Sequence, residues 1–346
     1  MTNTSHESYL TPFITAMNIE FKDQWCVLHS YESLPYFSKS DVDMAFSGND
    51  ISKLEALITT VAKKSNWQLY QKLWYDVKKC FYYVLKKNNE DVFLAIDFLI
   101  DNDGIGKYGF KTSLLTQNCN WYQEVIPIPN HEIACCYKLI KRIVKKRPLE
   151  EDAKYIRDHF RQSDPEVIKH ILAQHFNSKD LIVLRDFLEK KNNNLTQTKI
   201  NQLHNSRKKF IASVSSGLKH TIWETLRILE RIITPSGLVI YIPNLEKEKQ
   251  EKFTKHLSEK LGILFRFVNL EHSNSFLSKF KSLVGSTLLI CPKNNYNPKK
   301  SIQRNWLFKN TTEVKIQPEM LQEQSNDELV NAYYLAILSK LNKRFS

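Results

Sequence analysis

"DVDMAFS", residues 41–47, decides how the first half of this chain is read. The run has the β-branched and aromatic character of a strand, and side chains alternate across a strand. Asp41 and Asp43 therefore share one face, a few ångströms apart. Two like charges so placed repel and are costly to desolvate unless something positive sits between them. A third acid belongs with the pair. In "VFLAIDFLID", residues 92–101, Asp97 stands mid-strand in an apolar run, on the face of Phe93, Ala95 and Leu99. Three acids on neighbouring strands form the hard-oxygen set that a two-magnesium phosphoryl-transfer site requires. Asp101 has the same parity and competes with Asp97 for the third place, but lies at the strand end. A competing reading has Asp41 and Asp43 flanking an exposed strand and Asp97 held by a local partner.

Around these acids the sequence predicts an α/β domain. Residues 6–18 read as a helix and "WCVLHS", 25–30, as a strand. "NDISKLEALITTVAKKSNW" reads as an amphipathic helix capped by Asp50 or Ser52. "KKCFYYVLKKNNEDVFLAIDFLID" reads as a hairpin turning at Asn88-Asn89-Glu90-Asp91. The helix "HEIACCYKLIKRIVKK" follows and stops at Pro148. Along it Lys138, Lys141, Arg142, Lys145 and Lys146 recur at helical spacing, with Ile133, Tyr137, Ile140 and Val144 opposite. This is either a solvated face or, through Lys138 and Lys141, a phosphate-neutralising one.

From 149 to 232 the pattern is helical, with Asp164-Pro165 as a clear helix start. From 233 a continuous apolar run, Leu238 to Ile242, leads into a helix, further strands and the closing helix "NDELVNAYYLAILSKLNKRF", which predicts a parallel sheet.

The order of a small-residue turn, then Asp-x-Asp on a strand, then a later mid-strand aspartate resembles the nucleotidyltransferase superfamily typified by DNA polymerase β. That family opens its pattern with Gly-Ser or Gly-Gly; here Ser30 takes the second place and His29 stands where glycine is usual. "LHSYESLP" followed by "SDVDMAF" is similar to a bacterial branch found in surface-polysaccharide loci, where a nucleotidyltransferase-like domain precedes a helical region and a thymidylate-kinase-like P-loop domain. The resemblance covers nearly the whole chain and implies three parts: residues 1–148, a helical linker domain 149–232, and a kinase-like domain 233–346. It implies Mg2+, two ions, on Asp41, Asp43 and Asp97; a nucleoside triphosphate bound through Ser30, His29, Lys138 and Lys141; and a hydroxyl acceptor of the sugar or glycan-precursor class. Tyr31 and Glu32 belong to the same phrase and are expected along the cleft.

The kinase-like part departs from its pattern. Where the family has Gly-Pro-Asp-Gly-x-Gly-Lys-Ser-Thr, the proline and aspartate positions carry Pro243 and Asn244, and the glycine positions carry Ile242, Leu245 and Lys247. The lysine position carries Glu248, which would repel a triphosphate, and amides without glycine cannot form the phosphate cradle. Pro292 and Lys293 stand in place of a later Asp-Arg pair. This region is expected to keep a P-loop-like scaffold without kinase chemistry.

The 346 residues carry a net charge of +13 with only eight glycines. The charge favours an anionic partner and is compatible with nucleic acid. Lys299-Lys300 with Tyr296 is a weak version of a base-stacking site. None of the six cysteines has metal or redox spacing, and His170 and His175, five apart, do not share a helical face. With no signal-like start and no 18-residue apolar run, a cytoplasmic protein without a membrane span is expected. The expected activity is transfer of a nucleoside monophosphate from a triphosphate to a hydroxyl. The alternatives are a non-catalytic assembly or regulatory pseudoenzyme, and an RNA-directed nucleotidyltransferase.

Overall fold

The computed structural model describes residues 6–36, 41–76, 80–104, 106, 108–189, 195–214, 217–233, 236–242, 246–265, 267–270, 285, 287–292, 311–312 and 326–342. The chain is mixed α/β. In order come α1 (Glu7–Glu20), β1 (Trp25–Val27), β2 (Val42–Phe46), α2 (Ile51–Lys64), β3 (Trp67–Asp76), β4 (Cys80–Lys87), β5 (Phe93–Leu99), α3 (Thr112–Thr116), β6 (Asn120–Tyr122), β7 (Ile126–Ile128) and α4 (His131–Lys145). Helices α5 (Glu150–Arg161), α6 (Pro165–Ala173), α7 (Ser178–Glu189), α8 (Gln197–Val214) and α9 (Gly217–Ile233) follow. The last elements are β8 (Leu238–Ile242), α10 (Lys247–Leu261), β9 (Phe267–Leu270), β10 (Thr287–Pro292), β11 (Thr311–Thr312) and α11 (Asn326–Asn342).

A five-stranded sheet has the order β1-β2-β5-β4-β3. Strand β1 runs antiparallel to β2, and β2 runs parallel to β5, with Val42 opposite Ile96, Asp43 opposite Asp97 and Met44 opposite Phe98. The β4–β5 hairpin turns where the sequence predicts, closed by the Lys87 amide donating to the Val92 carbonyl at 2.9 Å, with Asn89 in the left-handed region at φ 61°. Asp50, not Ser52, caps α2: its Oδ1 accepts from the Lys53 amide at 2.8 Å. Asp164 caps α6 in the same way, through the Glu166 amide at 2.9 Å, with Pro165 at the first helical position. The polar cap oxygen satisfies an amide that the helix cannot.

Strand β3 is a correction to the sequence reading, which ends the preceding helix at Trp67 and assigns no strand to the next ten residues. Ser65 and Asn66 form the turn out of α2, and Asn66 adopts φ 61°, a conformation asparagine tolerates better than most residues. The strand at 25–30 is shorter than expected, ending at Val27.

By packing the chain divides into two compact units. The first comprises residues 1–61, 75–81 and 96–225, so the helices from 149 to 225 belong with the opening strands. Its core gathers Cys26, Ala45 and Leu99 from the sheet, Cys135, Cys136, Leu139 and Ile143 from α4, and Ile156, Leu172, Phe187 and Leu203 from the later helices. The second comprises residues 62–74, 82–95 and 226–346. It holds a wholly parallel four-stranded sheet, order β11-β8-β10-β9. All five residues of β8 are buried, as a parallel strand covered on both faces requires. Helices α10 and α11 contribute Phe253, Leu257, Tyr333 and Ile337 to its core. The six cysteines are free thiols. Among the described residues no helix is long and apolar enough to cross a membrane.

Candidate active site

The sheet register builds the site. Asp43 on β2 and Asp97 on β5 are direct cross-strand partners, so their side chains leave the same face of adjacent strands. Asp41 precedes Asp43 by two and joins them. One carboxylate oxygen from each of Asp41, Asp43 and Asp97 lies within 4.8 Å of the others, and among the described residues no other set of three or more such side chains could hold a metal ion. Asp101 is not the third acid. It is buried in the loop after β5, where its Oδ2 accepts from the Gly106 amide at 2.7 Å and its carbonyl accepts from the Thr112 amide at 2.9 Å.

His29 reaches the cluster because the edge pairing continues past β1, with the Leu28 amide donating to the Asp43 carbonyl at 2.9 Å. Its Nε2 lies 3.0 Å from Asp43 Oδ2 and 2.9 Å from Lys141 Nζ. Lys141 Nζ donates to Asp43 Oδ1 at 3.0 Å. A single Nε2 cannot donate to Asp43 and accept from Lys141 at once. The tautomer that keeps both hydrogen bonds to the carboxylate puts the proton on Nε2, leaving Nδ1 to accept from Ser30 Oγ, 3.2 Å away. Ser30 is exposed and has a left-handed backbone, φ 59°, unusual for a side-chain-bearing residue.

The three acids differ in electrostatics although they lie side by side. Burial pushes the Asp43 carboxyl upward, but His29 and Lys141 outweigh it and hold the group well below the ordinary carboxylate range. Burial, then the charge of Asp43, raises Asp41. The same two causes push Asp97 up to about 8, against a hydrogen bond from Tyr75. Asp97 Oδ1 is sealed from solvent with no hydrogen-bond partner among the described residues. Such an oxygen is costly in a finished structure and is satisfied by a proton or a cation.

The cluster opens into a cavity of about 240 Å³. Its far wall is α4. There Lys138, Lys141, Arg142 and Lys145 fall at i, i+3, i+4 and i+7 on one face, and Arg147 follows just past the helix. The Asn130 side chain caps α4 by accepting from the Ile133 amide at 3.0 Å. On α5, Asp152 holds two of these cations, pairing with Lys138 Nζ at 3.4 Å and making a direct contact with Arg142 Nε. Tyr75, Tyr108 and Tyr137 also line it, with Leu28, Met44 and Leu99.

Of the seven residues that the resemblance gives to metal and nucleotide, six meet here: His29, Asp41, Asp43, Asp97, Lys138 and Lys141 line the cavity. Ser30 stands beside it through its contact with His29. Lys146 does not join the wall; it caps α4 in a left-handed conformation and is exposed. Tyr31 and Glu32 are not part of the lining either. The Tyr31 ring packs on Tyr122 at 5.0 Å, and the Tyr122 hydroxyl donates to the Glu32 carbonyl at 3.2 Å. Sequence reasoning misses Tyr75, which lies on the unassigned strand, and Arg147, which lies outside the helical spacing. His175 is buried against Phe110 and Arg207, and burial then Arg207 lower its pKa to about 4.

In the second unit Glu248 is an exposed first-turn residue of α10, paired with Lys252 at 2.7 Å. Pro243, Asn244, Leu245, Lys293, Tyr296, Lys299 and Lys300 lie outside the described residues.

No protein-family model matches the chain, and no match was found among curated proteins or solved structures.

Proposed function

We propose that this chain is a magnesium-dependent nucleotidyltransferase, moving a nucleoside monophosphate from a nucleoside triphosphate to a hydroxyl acceptor of the sugar or glycan-precursor class. The observation that carries the reading is one cavity with two opposed walls: Asp41, Asp43 and Asp97 on the sheet, and Lys138, Lys141, Arg142, Lys145 and Arg147 on and after α4. The donor set fits a hard divalent cation. It is all carboxylate oxygen, the atoms converge within 4.8 Å, and a buried oxygen of Asp97 lacks a partner among the described residues. Asp41, Asp43 and Asp97 would hold the ion, which when bound polarises the phosphorus under attack and screens the charge of the triphosphate.

The chain's own groups do the rest by position and charge. Lys138 and Arg142, fixed by Asp152, present cations to the polyphosphate in a preset geometry. Ser30, at the cavity edge, offers a hydroxyl to a terminal phosphate. Asp97, in the same cluster, would help orient or deprotonate the acceptor hydroxyl once its own carboxylate is held ionised by the cation. The test is incubation of the purified chain with each α-labelled ribonucleoside triphosphate, Mg2+ and a cell extract. Label should pass to an acceptor fraction with release of pyrophosphate and be lost in Asp41→Asn and Asp43→Asn. Absence of both transfer and Mg2+-dependent triphosphate binding would overturn the proposal.

One observation favours a second reading, a non-catalytic nucleotide-binding protein: both oxygens of Asp43 already face a nitrogen, from His29 and Lys141. Triphosphate binding without transfer in the same assay selects it.

A further inference from the structure

We propose that in the nucleotide-free protein the carboxylate cluster takes one divalent cation, between Asp41 and Asp97, because Lys141 is a resident cation that holds Asp43. The inference rests on the cation-binding role proposed above and changes the expected count of ions from two to one. Two ions sharing a cluster need bridging carboxylates with both oxygens turned to metal. Asp43 cannot supply that while Oδ1 accepts from Lys141 Nζ at 3.0 Å and Oδ2 lies 3.0 Å from His29 Nε2. Asp97 is in the opposite condition, with Oδ1 buried and without a partner among the described residues.

Lys141 is not a surface side chain that drifts away at no cost. It is 9% exposed, springs from the packed face of α4 between buried Ile140 and Ile143, and its ammonium also lies 2.9 Å from His29 and 5.8 Å from the Tyr137 ring centre. Formal charge agrees with the geometry. Three carboxylates and one ammonium leave two negative charges, which a single divalent ion balances. A second ion would leave the pocket positive beside Arg142 and Lys138 before any phosphate arrives.

The experiment counts Mn2+ ions bound to the full chain without nucleotide, by calorimetric titration and by the loss of the free-ion electron paramagnetic resonance signal. The wild-type chain should bind one ion per molecule, and Lys141→Arg, which keeps the charge, should also bind one. Lys141→Met should bind two. If Lys141→Met does not fold, judged by circular dichroism, the wild-type and Lys141→Arg counts decide alone. Two ions in the wild-type chain, or one in folded Lys141→Met, overturn the inference while leaving nucleotide transfer intact. No ion in the wild-type chain overturns it too, and the cation-dependent reading falls with it only if Mg2+-dependent transfer is also absent.

Discussion

Replacing Asp97 by asparagine should make the ion-free protein more stable at neutral and mildly alkaline pH, and the size of the effect follows from the site. Burial and the neighbouring Asp43 raise the folded-state pKa of Asp97 to about 8, against an ordinary value of 3.8. A group whose folded pKa is raised contributes its stability fully below the unfolded pKa and loses it as pH climbs toward the folded value. Between about pH 4 and 8 the unfolded chain surrenders this proton while the folded chain keeps it. The cost grows by at most about 1.4 kcal/mol per pH unit. Asp97 retains some exposure at the cavity, so roughly 2 kcal/mol between pH 5 and 7 is the expectation. Asparagine keeps the shape and removes the proton equilibrium.

The assay is urea unfolding of wild type and Asp97→Asn in EDTA at pH 5, 6, 7 and 8, read as a stability difference at constant m-value. Taking the difference cancels His159 and His175, whose lowered values, about 4 each, act in both proteins and in the opposite sense. A difference that is flat with pH, or that favours wild type at pH 8, refutes the reasoning.

Other perturbations have defined outcomes. Millimolar Mn2+ should raise the melting temperature of wild type, by about 2.7 kcal/mol of stabilisation at a hundredfold excess over Kd, and Asp41→Asn should abolish the shift in a thermal scan. Lys138→Ala and Arg142→Ala should each weaken triphosphate binding by about tenfold, about 1.4 kcal/mol, in titrations with a non-hydrolysable analogue. Asp164→Ala removes the α6 cap and should cost about 1 kcal/mol in chemical unfolding. Glu248→Lys, at an exposed position, should change stability by less than about 0.5 kcal/mol and should confer no phosphorylation of nucleoside monophosphates.

The parts legible in the sequence are those fixed by short-range rules. Alternation put Asp41 and Asp43 on one face, the apolar run around Asp97 marked it as an acid out of place, and the 3, 4, 7 spacing on α4 gathered the cations. Asp164-Pro165 announced its helix, and the unbroken apolar run of β8 announced a parallel sheet. What the sequence withheld depends on partners distant in the chain. "WQLYQKLWYD" alternates too imperfectly to read as a strand, so nothing local in the sequence brings Tyr75 to Asp97, which it bonds from 22 positions away. The role of His29 was equally hidden. The resemblance places glycine at this position, whereas the β1–β2 pairing carries His29 onto Asp43. Nor does helical spacing say which lysine turns inward: Lys141 is buried on the acid while Lys146 ends the helix in solvent.

The central claim, that the carboxylate cluster binds a divalent cation, is tested most directly by anomalous diffraction from crystals soaked in Mn2+. The account predicts a manganese peak at about 2.2 Å from carboxylate oxygens of Asp41 and Asp97, vanishing in Asp41→Asn. Full soaking with no peak at this cluster, or manganese bound only elsewhere, would contradict it.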